Sequence, residues 1–556
     1  MRSIVKIALL ASMFAGTLLA QEITLDFLKS KPKGIARDFY IWMFLQEKST
    51  TAEEAQEAYT LVNSKSARIQ AAMIQKKALT TTRGNVCHRL SLKELALENS
   101  KCIATGLTIS RIFNHAKNFS DRELLSFLQQ KIASTNPKLY TFMDILLSQD
   151  MLKEFVKTGV ATLATIYNAL TYKQRLQLLD HAIDPKTLVY LVNQNDPVFN
   201  DILRRIVRDA RFLHFKKSLA RARITHSDSK TFFILGLNAA MHDGLSLALE
   251  YFKRSAQEAD SSFLKNRALF WQYLVSHNKT YLHTLSQSTS PDLFSIYANL
   301  NLGTTPKYKI VSTLEGITHK NPNFDIEDPF EWQILRDKIL AIQDKNAFLK
   351  ALEPLKTTQT TPHLAYFLDR YYNRQRNYFL APYEGVISWK SVPEKALAYA
   401  VARQESLLLP ALVSRSYALG LMQIMPFNVA PFARQIGAGP TKLTDMFNPK
   451  IALVFGNYYL NYLKEEFKHP LFVAYSYNGG PKFFRHLLKE RHFFTRQRKF
   501  EPWLSMELIP YSETRLYGQK VMANYIIYQK LFAREQGEPH HFDINAFFDA
   551  TLKDAP

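Results

Sequence analysis

One carboxylate stands at the end of an apolar helical pattern in the C-terminal third of the chain. Ser391, with Glu394 three residues later, forms a capping-box pattern that predicts the start of a helix. Leu397, Val401 and Glu405 follow at intervals of four and therefore share one helix face. A carboxyl group beside apolar side chains is partly shielded from water, which raises its pKa toward that of a general acid working near neutral pH. Glu405 is therefore a candidate acid/base, but the same pattern also fits a carboxylate that only marks where a buried face meets solvent.

Further motifs favour the catalytic interpretation, because they follow Glu405 in a definite order. After Glu405-Ser406 come Gly420-Leu-Met-Gln-Ile-Met-Pro426, Ser476-Tyr-Asn-Gly-Gly480 and Glu513-Thr-Arg515. In this order the motifs resemble those of the lytic transglycosylase family, and the resemblance covers about residues 385–535. Several motifs in one order are a more specific signal than any single motif.

The resemblance implies a goose-lysozyme-like fold with one essential carboxylate, at the position of Glu405. Glycoside hydrolysis ordinarily uses two carboxylates, and members of this family lack the second. Instead, the 2-acetamido oxygen of the substrate attacks the anomeric carbon while the acid protonates the leaving oxygen. The ionised Glu405 would then take the proton of the muramyl C6 hydroxyl, giving a 1,6-anhydro product without consuming water. The implied activity is a peptidoglycan lyase reaction at the β-1,4 bond between N-acetylmuramic acid and N-acetylglucosamine.

Such a reaction needs side chains that orient the acetamide and the sugar oxygens, because the nucleophile belongs to the substrate. By motif position, Tyr477 and Asn478 are expected to steady the acetamide, and Met422 and Gln423 to line the groove beside Glu405. The predicted substrate-binding set is Ser414, Met422, Gln423, Tyr477, Asn478 and Glu513. Glu513 also has a purely structural interpretation, since a carboxylate is favoured at the start of a helix.

One position departs from the family pattern. Members usually have glycine three residues before the motif glycine Gly420, and this chain has Tyr417 there. If the loop requires a positive φ at this position, Tyr417 is predicted to be strained.

The elements that position these residues are predicted to be helices throughout, so the fold class is all-α. Only 18 glycines occur in 556 residues, and helix formers with apolar residues three and four apart recur, as in Asp121 to Ile132. Asp328 is a natural N-cap before Pro329, and an apolar stripe follows it. Residues 21–355 are predicted to form a solenoid in which each helix pair buries its apolar face against its neighbours. This region resembles the ring-forming superhelix of the large soluble members of the family, which implies an α-superhelical domain that is either open or closed into a ring.

The other predicted boundaries follow from composition and from the motifs. The polar stretch KTTQTTP at 356–362 indicates a linker region over 356–384. The lysozyme-like catalytic domain is placed at 385–535, and the C-terminal tail at 536–556 has no assigned role.

The N-terminus has the pattern of a secretory signal peptide. Arg2 and Lys6 precede an uncharged apolar run that ends at Ala20, which predicts removal of residues 1–20 and a soluble periplasmic protein without a transmembrane segment. The two cysteines, Cys87 and Cys102, are a possible disulfide in an oxidising compartment, with two buried free thiols as the alternative.

The net charge of +22, or +20 without Arg2 and Lys6, favours a polyanionic partner. For an exported protein this is peptidoglycan, with its peptide carboxylates, and nucleic acid is not expected. Cell-wall synthases or amidases are candidate protein partners. No histidine cluster or glycine-rich phosphate loop is present, so no metal and no cofactor are expected. Two other functions stay open: a lysozyme-type hydrolase of the same bond, and an inactive scaffold that binds the cell wall.

Overall fold

The computed structural model describes residues 23–79, 86–538 and 541–554, so the predicted signal peptide at 1–20 lies outside the described residues. Helices dominate these ranges, which confirms the predicted all-α class. The strands described are two short segments, Ile310–Val311 and Asn377–Tyr378, which pair in parallel. Within the described ranges, no helix has the length and apolar character needed to cross a bilayer.

The first two thirds of the chain consist of short helices joined by turns, as in a solenoid. Ser229–Met241 packs on Leu245–Gln257, which in turn packs on Ser262–Ser276. Each helix thus buries its apolar face against its neighbours. The α-helices are Leu25–Ser30, Ile35–Gln46, Ala52–Thr60, Ala67–Gln75, Leu92–Ala96, Ser100–Gly106, Ile109–His115, Phe119–Ile132, Pro137–Leu147, Met151–Thr158, Val160–Ala169, Tyr172–Leu179, Pro185–Asn193, Pro197–Arg208, Leu213–Leu219, Ser229–Met241, Leu245–Gln257, Ser262–Ser276, Lys279–Ser286, Leu293–Leu302, Pro329–Leu340 and Lys345–Ala351, and the 3-10 helices are Val86–His88 and Glu353–Leu355.

The two ends of this helical region contact each other. Helix Ile35–Gln46 lies against helix Pro329–Leu340. The rings of Tyr40 and Phe330 are 4.9 Å apart between centroids, and the Gln333 side chain donates a hydrogen bond of 2.9 Å to the carbonyl of Lys33. The solenoid therefore returns to its starting point, as in the closed form of the predicted superhelix.

Two local features of the helical region can be compared with the sequence predictions: the cysteine pair and the start of helix Pro329–Leu340. Cys87 and Cys102 form a disulfide, with their Cα atoms 5.4 Å apart. Asp328 accepts hydrogen bonds from the first turn of Pro329–Leu340, which confirms the predicted cap. The apolar stripe of this helix is also confirmed, because Trp332 and Ile339 are buried.

The segment 356–384, predicted as a linker region, is folded and packed. Thr357 and Thr360 are buried, and the Thr360 hydroxyl donates to the carbonyl of Leu355 over 2.7 Å. Helix Thr361–Tyr371 follows and buries Phe367 against Trp332. The threonine hydroxyls are satisfied by local backbone groups, so this polar stretch can enter the protein interior.

The C-terminal third is a second helical assembly built around two long helices. Val392–Ser406 packs along Ser512–Glu535, and Pro470–Gly479 lies against the latter. The amide nitrogen of Asn524 donates to the Ala400 carbonyl over 3.2 Å, which ties the two long helices together. The remaining elements are the α-helices Thr361–Tyr371, Pro426–Ile436, Pro449–Phe467, Pro481–Lys489, Trp503–Leu508 and Ile544–Asp549, and the 3-10 helices Glu384–Val386 and Leu443–Phe447.

Candidate active site

Glu405 lies in the last turn of helix Val392–Ser406, on the same face as the buried side chains of Leu397 and Val401. The helix begins where the sequence predicts, because the Ser391 hydroxyl accepts from the Glu394 backbone N–H over 3.3 Å. The Glu394 carboxylate accepts from the backbone N–H of Lys390 instead of that of Ser391, so the reciprocal half of the predicted capping box is displaced by one residue.

The Glu405 carboxyl group is partly buried and accepts one strong hydrogen bond. The Tyr517 hydroxyl donates to its Oε1 over 2.6 Å. Burial raises the pKa of Glu405 to about 7, against the lowering effect of the Tyr517 hydrogen bond, and the negative charge of Glu513 raises it further. A carboxyl group with this pKa holds a proton near neutral pH and can give it up there, as a general acid must.

Tyr517 belongs to the site although it is absent from the residues predicted from motifs. It stands on helix Ser512–Glu535, four residues after Glu513, so both residues share one helix face. Burial and the charge of Glu405 raise the pKa of Tyr517 far above its usual value, which keeps the hydroxyl protonated as a donor. The spacing from Glu513 was the sequence signal available for it.

The loop after the catalytic helix is held by Ser406 and shaped by Gly420. The Ser406 hydroxyl donates to the Leu421 carbonyl over 2.8 Å. Gly420 has φ +71°, and a Cβ atom there would lie 1.8 Å from the carbonyl oxygen of Met446. Only glycine fits this position, which explains the first residue of the predicted motif.

Met422 and Gln423 follow in the same loop. The Met422 side chain is 0% exposed and packs on helix Pro449–Phe467 at Gly456, where a Cβ would come within 2.5 Å of it. Gly456 leaves room for this side chain in the core, and the groove-lining role expected of Met422 stays a prediction. Gln423 has φ +49°, and its side-chain amide donates to the Gly420 carbonyl over 2.7 Å.

Tyr477 and Asn478 lie in the last turn of helix Pro470–Gly479. The Tyr477 hydroxyl donates to the Met422 carbonyl over 2.6 Å, and burial together with the charge of Glu405 raises the pKa of Tyr477. Asn478 Oδ1 accepts from the Thr514 hydroxyl over 2.8 Å, which orients its amide. Thr514, the middle residue of the Glu513-Thr-Arg515 motif, is thus a positioning residue outside the predicted substrate-binding set.

Ser414 and Glu513 complete the predicted set. The Ser414 hydroxyl oxygen accepts from the backbone N–H of Ala418 over 2.9 Å and thereby holds the turn that follows it. Glu513 is exposed in the first turn of helix Ser512–Glu535, as predicted for a helix start, and its charge reaches Glu405. The structure thus brings Glu405, Tyr477 and Glu513 close enough to interact electrostatically. Ser414 instead stabilises the turn between Ser414 and Ala418.

Tyr417 has the positive φ anticipated for this position, +59°. Its buried ring lies against two aromatic side chains of the N-terminal region, with centroids 5.8 Å from Phe39 and 5.7 Å from Trp42. The Arg68 guanidinium lies 5.8 Å from the ring centroid. The energetic cost of the left-handed backbone is offset by this packing, which connects the catalytic loop to the helical region.

Comparison with known proteins places a family domain over this site. Residues 383–499 match the family model described as the Transglycosylase SLT domain. The matched range contains Glu405 and five of the six predicted substrate-binding residues, and Glu513 lies beyond its end.

Curated relatives match over a similar range. The soluble lytic murein transglycosylase of Escherichia coli strain K12 is 32% identical over 147 residues, 26% of this chain and 22% of that protein. The corresponding protein of Salmonella typhimurium is 31% identical over the same length. The match thus spans about a fifth of the length of these curated relatives. The solved 70 kDa soluble lytic transglycosylase of Escherichia coli aligns over 95% of this chain and 84% of its own, with a TM-score of 0.44 and 16% identity.

Proposed function

Because residues 383–499 carry a Transglycosylase SLT domain, we propose that this chain is a peptidoglycan lytic transglycosylase. It cleaves the β-1,4 bond between N-acetylmuramic acid and N-acetylglucosamine and leaves a 1,6-anhydromuramic acid end. The observation that carries this proposal is the partly buried carboxyl group of Glu405, which lies within the matched range, has a pKa of about 7 and accepts a hydrogen bond from Tyr517.

In the first step, neutral Glu405 donates its proton to the glycosidic oxygen, while the 2-acetamido oxygen of the muramyl residue attacks the anomeric carbon. The C–O bond to the leaving sugar breaks, and Glu405 becomes a carboxylate. Tyr477 and Asn478 hold the acetamide in this proposal. What supports this is their fixed orientation, since the Tyr477 hydroxyl donates to the Met422 carbonyl and Asn478 Oδ1 accepts from the Thr514 hydroxyl.

In the second step, the Glu405 carboxylate takes the proton from the C6 hydroxyl, whose oxygen then closes on the anomeric carbon. The bond to the acetamido oxygen breaks, and Glu405 is again protonated for the next cycle. The Tyr517 hydroxyl stabilises the carboxylate between the two steps, because a hydrogen bond to an ion is stronger than one to a neutral acid.

We place the enzyme in the periplasm after removal of residues 1–20. The basic charge suits an acidic polymer outside the cytoplasm, and the bridge between Cys87 and Cys102 suits an oxidising compartment. Proposed protein partners are enzymes that act on the same polymer, synthases or amidases.

The test is mass spectrometry of fragments released from purified peptidoglycan by the chain lacking residues 1–20. We expect anhydromuramyl ends with the wild type and with the control Glu353→Gln, an exposed glutamate paired with Lys356, and none with Glu405→Gln. Reducing ends would identify a lysozyme-type hydrolase, and no release by the wild type would favour the wall-binding scaffold; either result overturns the proposal.

A further inference from the structure

A cavity of about 600 Å³ lies where the helical region meets the catalytic domain. The helical region contributes Tyr172, Arg175 and Arg208 to its wall, and the catalytic domain contributes Phe483 and Tyr511. The volume is within the range of small-molecule and peptide sites. Its wall combines aromatic rings with guanidinium groups, a combination suited to an anionic ligand that also has apolar parts.

Two of the arginines that line the cavity, Arg175 and Arg208, have no carboxylate oxygen within ion-pair distance in the described ranges, although the charge of Glu507 reaches Arg208. Arg175 donates to the backbone carbonyls of Tyr167 and Asn168, over 2.9 and 3.0 Å. Arg208 likewise donates to the carbonyls of Glu507 and Arg204, over 3.0 and 2.7 Å. These bonds fix the position of both guanidinium groups without neutralising their charge.

The other two arginines of the wall differ in this respect. Arg205 forms an ion pair with Asp201 at 3.2 Å, and Arg211 forms one with Asp209 at 3.0 Å. The wall also contains the carboxylates of Asp209 and Glu490, and both of these act on Arg211. The cationic groups of the wall that have no carboxylate within ion-pair distance are therefore Arg175 and Arg208.

The surroundings of Arg208 contain more positive than negative charge. Arg267 and Arg515 lie near it, and the carboxylate of the buried Glu507 is bound by Arg267 through two hydrogen bonds. Burial, and then the charges of Arg515 and Arg267, lower the pKa of Arg208, so its cationic form is held in an unfavourable field. An anion in the cavity would offset this repulsion.

The cavity wall includes residues adjacent to the proposed active site. Tyr511 immediately precedes helix Ser512–Glu535, which carries Glu513 and Tyr517. The ring of Phe483 is 4.7 Å from that of Tyr511 and also borders Gly479, the neighbour of Asn478. Phe483 and Tyr511 thus connect the cavity wall to the elements that carry Asn478, Glu513 and Tyr517.

We infer that the cavity binds a carboxylate of a stem peptide carried by the glycan strand, with Arg175 and Arg208 as the groups that recognise it. This inference rests on the proposed function for the nature of the polymer. A carboxylate is planar and matches the paired N–H donors of a guanidinium, whereas the aromatic rings accept the aliphatic part of the peptide. Arg175 and Arg208 thus determine substrate preference and take no part in bond cleavage.

Binding is tested first, by titration calorimetry of the folded chain with stem peptide released from peptidoglycan by an amidase. We expect wild type and the control Arg223→Gln, which alters an exposed arginine paired with Glu250 outside the cavity wall, to bind equally. Arg175→Gln should weaken binding about tenfold or more, the usual loss of a charge-assisted hydrogen bond, and Arg175→Lys less. Absence of peptide binding by the wild type, or equal binding by Arg175→Gln, overturns the inference. Inorganic phosphate binding as tightly as the peptide would mark a general anion site and also overturns it.

Kinetics then separate this inference from the proposed function. On peptide-bearing strands Arg175→Gln should raise KM about tenfold with kcat unchanged, and on amidase-stripped strands it should match the wild type. Equal changes on both substrates contradict a peptide site. If the wild type yields no anhydromuramyl ends, the proposed function fails, while the calorimetry still decides whether the cavity binds the peptide.

Discussion

The proton affinity of Glu405 results from opposing local effects. Partial burial disfavours the carboxylate, the Tyr517 hydroxyl stabilises it, and the charge of Glu513 disfavours it again. In the proposed reaction, the resulting pKa of about 7 would let one group serve as acid and then as base. Because each effect comes from a different side chain, each can be removed separately.

Tyr517→Phe removes the only one of these effects that lowers the pKa of Glu405. The pKa should then rise, so the alkaline limb of the kcat/KM profile moves upward by about one pH unit, since activity requires the acid form. The matched control is Tyr528→Phe on the same helix, whose hydroxyl donates to the Leu380 carbonyl and not to Glu405. A profile of Tyr517→Phe that coincides with the wild type would show that this hydrogen bond does not set the pKa.

Glu405→Gln should change the free energy of unfolding in a pH-dependent way. A carboxyl whose pKa is raised by folding stabilises the protein below about pH 4.5, and this contribution is lost as the pH rises through about 7. The variant should therefore equal the wild type near pH 4 and exceed it by roughly 3 kcal/mol at most near pH 8. Urea denaturation at both values measures this, with exposed Glu353→Gln as control. A constant difference between variant and wild type across this range would contradict the raised pKa.

The sequence predicts Glu405 as the acid/base because ordered motifs follow it, while the apolar neighbours at intervals of four indicate only that it ends a buried helix face. It does not predict Tyr517 as the partner, because the two residues are 112 positions apart and only the packing of two helices brings them together. The burial of the Met422 side chain could not be predicted from the sequence either. It depends on the space left by Gly456, which lies in a different helix.

At the scale of elements, the segment between Ser406 and Gln423 is the least regular part of the site and depends on close backbone approach. Gly420 is positioned against the Met446 carbonyl, and the Ser406 hydroxyl bonds to Leu421. The loop therefore couples the catalytic helix to the 3-10 helix Leu443–Phe447. The absence of a side chain at Gly420 is therefore as necessary for the conformation of this loop as the hydrogen bond of Ser406.

Gly420→Ala should destabilise the protein more than Gly437→Ala. Both glycines have φ near +70°, so both substitutions incur about 1–2 kcal/mol for a left-handed alanine, but a Cβ meets nothing within 4 Å at Gly437. At Gly420 the clash with the Met446 carbonyl adds a shift of the loop and a loss of activity. Urea denaturation and rates on peptidoglycan measure the difference; equal losses in the two variants would contradict a steric role for Gly420.

Helix starts were predictable where a cap and a proline coincide, as at Asp328 and Pro329, because the signal is local. The packed state of residues 356–384 was not, because the threonine-rich stretch has the composition of an exposed segment. Its burial depends on backbone partners such as the Leu355 carbonyl, which composition does not reveal.

At the scale of the whole molecule, the helical region and the catalytic domain are joined by buried charge. Arg267 of helix Ser262–Ser276 binds the carboxylate of Glu507, and both side chains are almost fully buried. Burial alone would raise the pKa of Glu507, but the nearby arginines, Arg267 first, hold it below its usual value. This ion pair fixes the relative position of the two regions.

Glu507→Gln should lower the free energy of unfolding by about 3–5 kcal/mol, because it leaves buried guanidinium groups without a counter-charge. Glu250→Gln removes a surface partner of Arg223 and should cost less than about 1 kcal/mol. Thermal or urea denaturation compares the two. A loss at Glu507 as small as that at Glu250 would mean that solvent screens the interface.

The closure of the helical region was left open by the sequence, which shows helical periodicity but not the small rotation between successive helices. Those rotations add up over some three hundred residues before Tyr40 meets Phe330. A contact of this kind depends on the accumulated geometry of all helices and has no local signature.

The contact of Tyr417 with Phe39 and Trp42 bears on whether the catalytic domain is separable. A fragment that begins near residue 385 would keep every proposed reacting group. It would lose Phe39 and Trp42, whose rings pack against Tyr417, a residue with a left-handed backbone conformation. Without that contact, we expect the φ angle of Tyr417 to become negative, which would change the conformation of the loop. The amino-terminal helices therefore contribute to the conformation of the loop that follows Glu405.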